Sequence, residues 1–142
     1  MNFEPNVLHC NDWQTGMMLM LLDCHFKKNG YHTNVQTVYT IHNLKYQGVH
    51  SIDVLREMLD LPDDYLREGF CIKDKPINFI KAGILFSNSV TTVSPTYDYE
   101  IMTDYYGEGL NYMLQKYPYK LSGIISGMNE LSTILQRTIR SR

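Results

Sequence analysis

The chain has 142 residues, 44% of them hydrophobic and 20% charged, with a formal net charge of −2 and a pI near 6.2. That describes a single ordinary globular domain, argues against a nucleic-acid binder, which carries a basic excess, and leaves no room for two sizeable domains closing over a substrate. The longest apolar run, Met17 to Leu22, stops at Asp23, short of the roughly 20 residues of a membrane helix, and the N-terminus lacks the pattern of a signal peptide.

Taken in chain order, the apolar pattern alternates between short runs and helical stretches. Val7 to Cys10 reads as the end of a buried strand, closed by Asn11 and Asp12. Trp13 to Lys28 reads as a helix with Asn29-Gly30 as its stop. Val35 to Ile41 is β-branched and aromatic, hence a strand. His42-Asn43 closes it, and a loop runs through Gly48. Ser51 to Leu59 reads as a helix with Ser51 as N-cap, followed by a turn at Leu61 to Asp64. Ile77 to Phe86 reads as a mostly buried helix entered through Pro76. Ser89 to Val93 is the next strand. Ser94 and Pro95 fit the N-cap and first position of a helix running through Met102. Gly107 to Gly109 opens a short helix through about Lys116, and Leu121 to Ser126 is a last strand, ending at Gly127.

Strands separated by helices imply crossover connections and a parallel sheet, so the expected fold class is α/β. Polar residues follow the strands: Asn11-Asp12, His42-Asn43, Ser94 and Ser126-Gly127. The carboxyl ends of strands are where open α/β sheets bind ligands.

The residues leave several roles open. Asp12 reads either as a helix N-cap or as a carboxylate accepting hydrogen bonds from a polar ligand. His42 reads either as a hydrogen-bonded capping residue or as a donor to a sugar hydroxyl or carbonyl. His9 is expected inside and His25 on a solvated helix face, while His32 and His50 fall in loops. Tyr97, Tyr99, Tyr105, Tyr106, Tyr112, Tyr117 and Tyr119 could stack on sugar rings, with packing the expected role for most. Cys10, Cys24 and Cys71 are odd in number and widely spaced, so they read as free thiols of a reducing, cytoplasmic compartment. No spacing fits a metal site, a phosphate-binding glycine loop or a nucleophile elbow.

Longer words are more specific. His9 to Gly16 (HCNDWQTG) resembles the H-x-[HN]-D-W-[HQ]-x-[AG] segment of bacterial glycogen synthases and plant starch synthases. Thr37 to Gly48 resembles their T-V-x-T-I-H-N-L-x-Y-Q-G. Ile77 to Gly83, Thr91 to Tyr97 and Tyr106 to Leu110 look like their I-x-F-L-K-A-G, T-V-S-P-T-Y and F-G-x-G-L. These words stand in the family's order from about Val7 to Asn129.

The resemblance implies a partial Rossmann-like domain from a retaining glucosyltransferase with two such domains. That enzyme moves glucose from ADP-glucose to the non-reducing end of an α-1,4-glucan, with no metal or organic cofactor. By the same resemblance, residues 1–130 would be the C-terminal part of the N-terminal, acceptor-side domain. Asp12 and His42 would line the glucose pocket, with Gln14 where the family has a nearby histidine. Asn43 and Ser126 complete the expected set. The full enzyme's partners would be ADP-glucose and glucan, with no nucleic acid and no membrane. An exposed sheet edge would favour self-association.

Departures accompany the matches. The family's L-N-G-I-D reads Ile125 to Asn129 here, with Ser126 in place of Asn and Asn129 in place of Asp. Its donor-binding K-x-G-G-L and the C-terminal domain's Arg, Lys and Glu have no counterpart, so the chain alone is expected to be inactive. Residues 131–142 are expected to be a divergent or out-of-frame tail. Ile134 to Thr138 can be encoded by ATC-CTG-CAA-CGG-AC, which one base earlier, after an A, spells the family's N-P-x-T-D; ordinary divergence into a basic helix is the alternative. Three functions compete: an enzyme fragment, a non-catalytic glucan-binding or assembly module, and a relative of the sucrose synthases, which the first two words disfavour.

Overall fold

A computed structural model describes residues 4–66, 76–125 and 127. Strand β1 (Val7–Asn11) runs straight into helix α1 (Asp12–Leu21), and β2 (Gln36–Ile41) follows. A short strand β3 (Val49–Ser51) leads into α2 (Ile52–Leu59). Strand β4 (Pro76–Asn78) leads into α3 (Phe79–Phe86), then come β5 (Ser89–Thr92), α4 (Pro95–Glu100), α5 (Asn111–Lys116) and β6 (Leu121–Gly123). Four strands form a parallel sheet in the order β1-β2-β5-β6, and β3 pairs antiparallel with β4 in a separate ribbon. The expected α/β class with a parallel sheet is what the chain adopts.

The elements start and stop where local chemistry dictates, with some differences from the pattern. The expected helix over 13–28 continues past Leu21 as a π-helical turn (Leu22–Phe26) and a 3-10 turn (Lys27–Asn29), and ends at Gly30, whose φ of 83° supplies the left-handed stop. The wider turn shifts the following side chains around the helix axis. His25 is therefore half-buried rather than solvated, with its Nε2 2.9 Å from the Leu59 carbonyl oxygen. The helix expected from Ile77 begins only at Phe79, because the Asn78 side chain accepts the Lys81 N–H and caps it there. Pro76 to Asn78 instead pair with β3, which also puts His50 in a strand rather than a loop. Ser94 and Pro95 start α4 as expected, with Ser94 Oγ accepting from the Tyr97 N–H at 3.0 Å. The last strand closes at Gly123, and the expected Ser126 lies outside the described residues, as do Cys71 and residues 131–142.

Alternation along each strand sorts the side chains. Cys10, Tyr39, Ile41 and Val90 point into a core shared with Leu19, Ile80, Ile84, Met113 and Leu114. A second cluster under α2 gathers Met17, Met20, Cys24, Leu61, Tyr65 and Ile77. Helices α1 and α3 lie side by side over β2, and two glycines permit it. A Cβ on Gly16 would collide with the Phe79 carbonyl, and one on Gly83 with the Tyr39 ring. Tyr39 is thus gripped from both helices, is 0% exposed, and has an Oη without a hydrogen-bond partner among the described residues.

The other face of the sheet is open. His9, Asn11, Gln36, Ser89 and Ser122 are exposed there, and Thr40 and Thr91 are half-buried. His9 was expected inside, but it alternates with the inward-facing Leu8 and Cys10 and so points outward. Its Nε2 lies 2.7 Å from Thr40 Oγ1, which lies 2.7 Å from Thr91 Oγ1, a thread of hydrogen bonds across three strands. Both described thiols, Cys10 and Cys24, are buried and free. Among the described residues no helix is long and apolar enough to cross a membrane.

Candidate functional site

Because β1, β2, β5 and β6 are parallel, their carboxyl ends meet at one edge. Asn11 stands opposite Thr40, and Ile41 opposite Thr92, so Asp12 and His42 emerge as neighbours. Asp12 takes a φ of 51°, a left-handed conformation that a non-glycine residue adopts at a cost. That turn aims its carboxylate across to the next strand. Oδ1 accepts the His42 N–H at 2.8 Å and the Asn43 N–H at 3.2 Å.

The structure does not bear out the helix N-cap reading of Asp12. Asn11 occupies the N-cap position, without a side-chain cap bond. The Asn11 backbone is bound instead by Thr15, whose Oγ1 lies 2.6 Å from both the N–H and the carbonyl oxygen of Asn11. Asp12 caps the end of β2 and holds the His42 backbone at the rim.

The His42 ring is exposed, and its Nε2 lies 3.1 Å from Asn11 Oδ1. The contact holds the ring at the rim, and the ring's tautomer sets which of its nitrogens donates. Asn43 is exposed and turns back on its own loop, its Oδ1 accepting from the Lys45 N–H at 3.0 Å. Gln14 is exposed on the first turn of α1. Four of the five expected site residues therefore share one edge of the sheet, and Ser126 lies outside the described residues.

The loop from 42 to 48 is pinned along its length. The Leu44 N–H donates to Tyr97 Oη at 2.9 Å. Gln47 Nε2 donates to the Glu108 carbonyl at 2.8 Å, and Gln47 Oε1 accepts from Asn78 Nδ2 at 2.6 Å. The Phe79 N–H reaches the Gly48 carbonyl at 3.1 Å. Gly48, with a φ of 61°, lies against the Trp13 ring where a side chain would not fit. Burial pushes the Tyr97 phenol up, the hydrogen bond from Leu44 pulls it down, and Asp12 adds a smaller push upward.

Sequence reasoning missed Asn11 as the partner of the His42 ring, and Tyr97, Gln47 and Asn78 as braces. These partners lie between 31 and 61 residues apart in sequence, and no local spacing signals them. The tyrosines also divide differently from expectation. Tyr97 and Tyr117 pack against the core, but Tyr99, Tyr105, Tyr106, Tyr112 and Tyr119 are exposed. Among the described residues no group of three His, Cys, Asp or Glu is placed to hold a metal. The arrangement is a rigid edge offering an imidazole, a carboxamide and an amide, suited to hydrogen-bonding a polyhydroxy ligand rather than to nucleophilic attack by a Ser or Cys.

Comparison with known proteins shows the family and the fold. The model of the starch synthase catalytic domain matches residues 1–116. Glycogen synthases from Clostridium novyi (strain NT) and Clostridioides difficile (strain 630) are 48% and 46% identical over 128 residues, each match covering 90% of this chain and 27% of the relative. The fold matches the catalytic domain of Starch Synthase IV from Arabidopsis thaliana bound to ADP and acarbose, at a TM-score of 0.75 and 34% identity, over 91% of this chain and 27% of that one. The chain spans about a quarter of the length of these relatives, and it belongs to the starch synthase catalytic domain family.

Proposed function

We propose that this chain forms part of the sugar pocket of an ADP-glucose-dependent glucosyltransferase that lengthens α-1,4-glucans with retention of configuration. The observation that carries this reading is the Asp12–His42 pair at the parallel strand tips, held by backbone bonds, in a chain 48% identical to a glycogen synthase. In the reaction the bond from glucose C1 to the ADP phosphate oxygen breaks, a glucan hydroxyl oxygen takes its place on C1, and the hydroxyl proton leaves with the ADP phosphate. His42 is positioned to donate to a glucose hydroxyl or to charge developing as the donor bond breaks. Asp12 acts through His42, fixing the backbone that presents the ring. Gln14 and Asn43 offer further hydrogen bonds at the same edge. We assign Ser126 to the same pocket on resemblance alone.

On this reading residues 1–130 are the later part of an acceptor-side domain, residues 131–142 are a divergent or out-of-frame tail, and the protein works in the cytoplasm without a metal or organic cofactor. An open sheet face and the β1 edge support self-association through that edge. The test is transfer of radiolabelled glucose from ADP-glucose to glycogen. The chain alone should transfer none, and robust transfer would show that the pocket residues here suffice.

A second reading, a non-catalytic glucan-binding module, is favoured by the exposed tyrosines, among them Tyr105 at 83% exposure. Calorimetric titration with maltooligosaccharides separates the two. Saturable binding weakened by His42→Ala supports the pocket in either case. Binding that survives His42→Ala but falls with Tyr105→Ala favours the tyrosine surface.

A further inference from the structure

We propose that the cavity between α3 and the loop preceding α5 is an oxyanion-binding site, with Lys81 as its cation. The cavity is about 190 Å³. At roughly 30 Å³ per water, that holds about six waters, enough for a phosphate or a carboxylate and too small for a drug-sized ligand. Val49, Pro76 and Leu110 make much of its wall apolar.

Lys81 is the only charged side chain among the described residues of that wall. It is 6% exposed, and among the described residues its side chain has no hydrogen-bond or ion-pair partner. Its Nζ is not fully buried, so the stem is covered while the ammonium stays open to a partner entering the cavity.

The other polar groups on the wall favour an anion over a neutral sugar. The Asn78 side-chain oxygen already accepts the Lys81 N–H, and the Gln47 oxygen already accepts from Asn78. What remains is mostly donors: the Lys81 ammonium and the second amide hydrogens of Gln47 and Asn78, with the Tyr112 hydroxyl able to donate or accept. A ligand rich in acceptors and carrying negative charge complements them. A sugar hydroxyl also needs something to donate to. Lys81 sits in the first turn of α3, at the positive end of that helix. The site is separate from the His42 edge and does not depend on glucosyl transfer, although Gln47 links the two through the 42–48 loop.

The test is calorimetric titration of the full chain with inorganic phosphate at constant ionic strength, with acetate and maltose as parallel arms. In the same titration, NMR follows the side-chain ε-CH₂ signals of lysine. Phosphate should bind saturably in the millimolar range and move the Lys81 signal. Lys81→Met should weaken binding by roughly tenfold or more, as expected for loss of a charged hydrogen-bond partner. Lys116→Met, on an exposed helix position, should not. Acetate binding with the same Lys81 dependence also supports the site and identifies a carboxylate as its ligand.

No saturation by either anion overturns the proposal, as does binding that is equal in Lys81→Met. A Lys81 signal that moves with maltose but not with phosphate overturns it in favour of a sugar subsite. If Lys81→Met does not fold, the wild-type Lys81 signal alone decides between these outcomes.

Discussion

The two faces of the parallel sheet solve the same problem with different chemistry. The covered face, built on Cys10, Tyr39, Ile41 and Val90, is held by shape: glycines at 16 and 83 let two helices close on one tyrosine ring. The open face is held by the His9–Thr40–Thr91 thread and stays polar. Apolar packing is intolerant of volume, whereas solvent-accessible hydrogen bonds exchange with water and are worth little each. The edge that carries Asp12 and His42 lies where the faces meet, and it inherits rigidity from the first and polarity from the second.

That contrast can be broken most sharply at Gly83. Gly83→Ala drives a Cβ into the Tyr39 ring, and we expect a loss of about 3 kcal/mol from overpacking, read as a lower urea midpoint. A mild effect would mean that α3 can slide on β2.

Raising the pH strains the covered side more gently. Burial pushes the Cys10, Cys24, Tyr39, Tyr65 and Tyr97 groups up from ordinary values of 9.0 for the thiols and 10.0 for the phenols. Groups raised in the fold contribute stability that is complete below the unfolded value and is lost as pH climbs toward the folded one. Lys120, lowered from 10.5 by burial, runs the other way. Five acids against one cation give a net fall, so the melting temperature should drop between pH 8.5 and 10.5. An unchanged melting temperature would contradict the burial of these groups.

On the open face, Thr40→Val removes both bonds of the thread and should cost about 1 kcal/mol, with an unchanged denaturant slope. The smallest effect is expected from Tyr39→Phe. Deleting a buried hydroxyl with no partner among the described residues should be neutral or stabilise by up to about 1 kcal/mol. A clear loss would reveal a partner for that oxygen.

Much of the fold was legible because it is local. The α/β order, the Ser94-Pro95 start of α4 and the Gly30 stop follow from capping, proline geometry and left-handed glycine. The elements that misread did so for equally physical reasons. Pro76 looked like a helix start, but the partner that makes residues 76–78 a strand is β3, and the Asn78 cap delays the helix. His9 looked buried in an apolar run until strand alternation placed it outside.

The sequence by itself determined the order of the main helices and parallel strands and the family they belong to, because these depend on neighbouring residues and on motif words. Only the tertiary structure decided that Asp12 holds the His42 backbone, that Asn11 faces its ring, that one sheet face is open, and that the Lys81 side chain is buried with no hydrogen-bond or ion-pair partner among the described residues. Each of these arises from parallel strands and packed helices bringing together groups about 30 or more residues apart, a distance over which no local preference carries information.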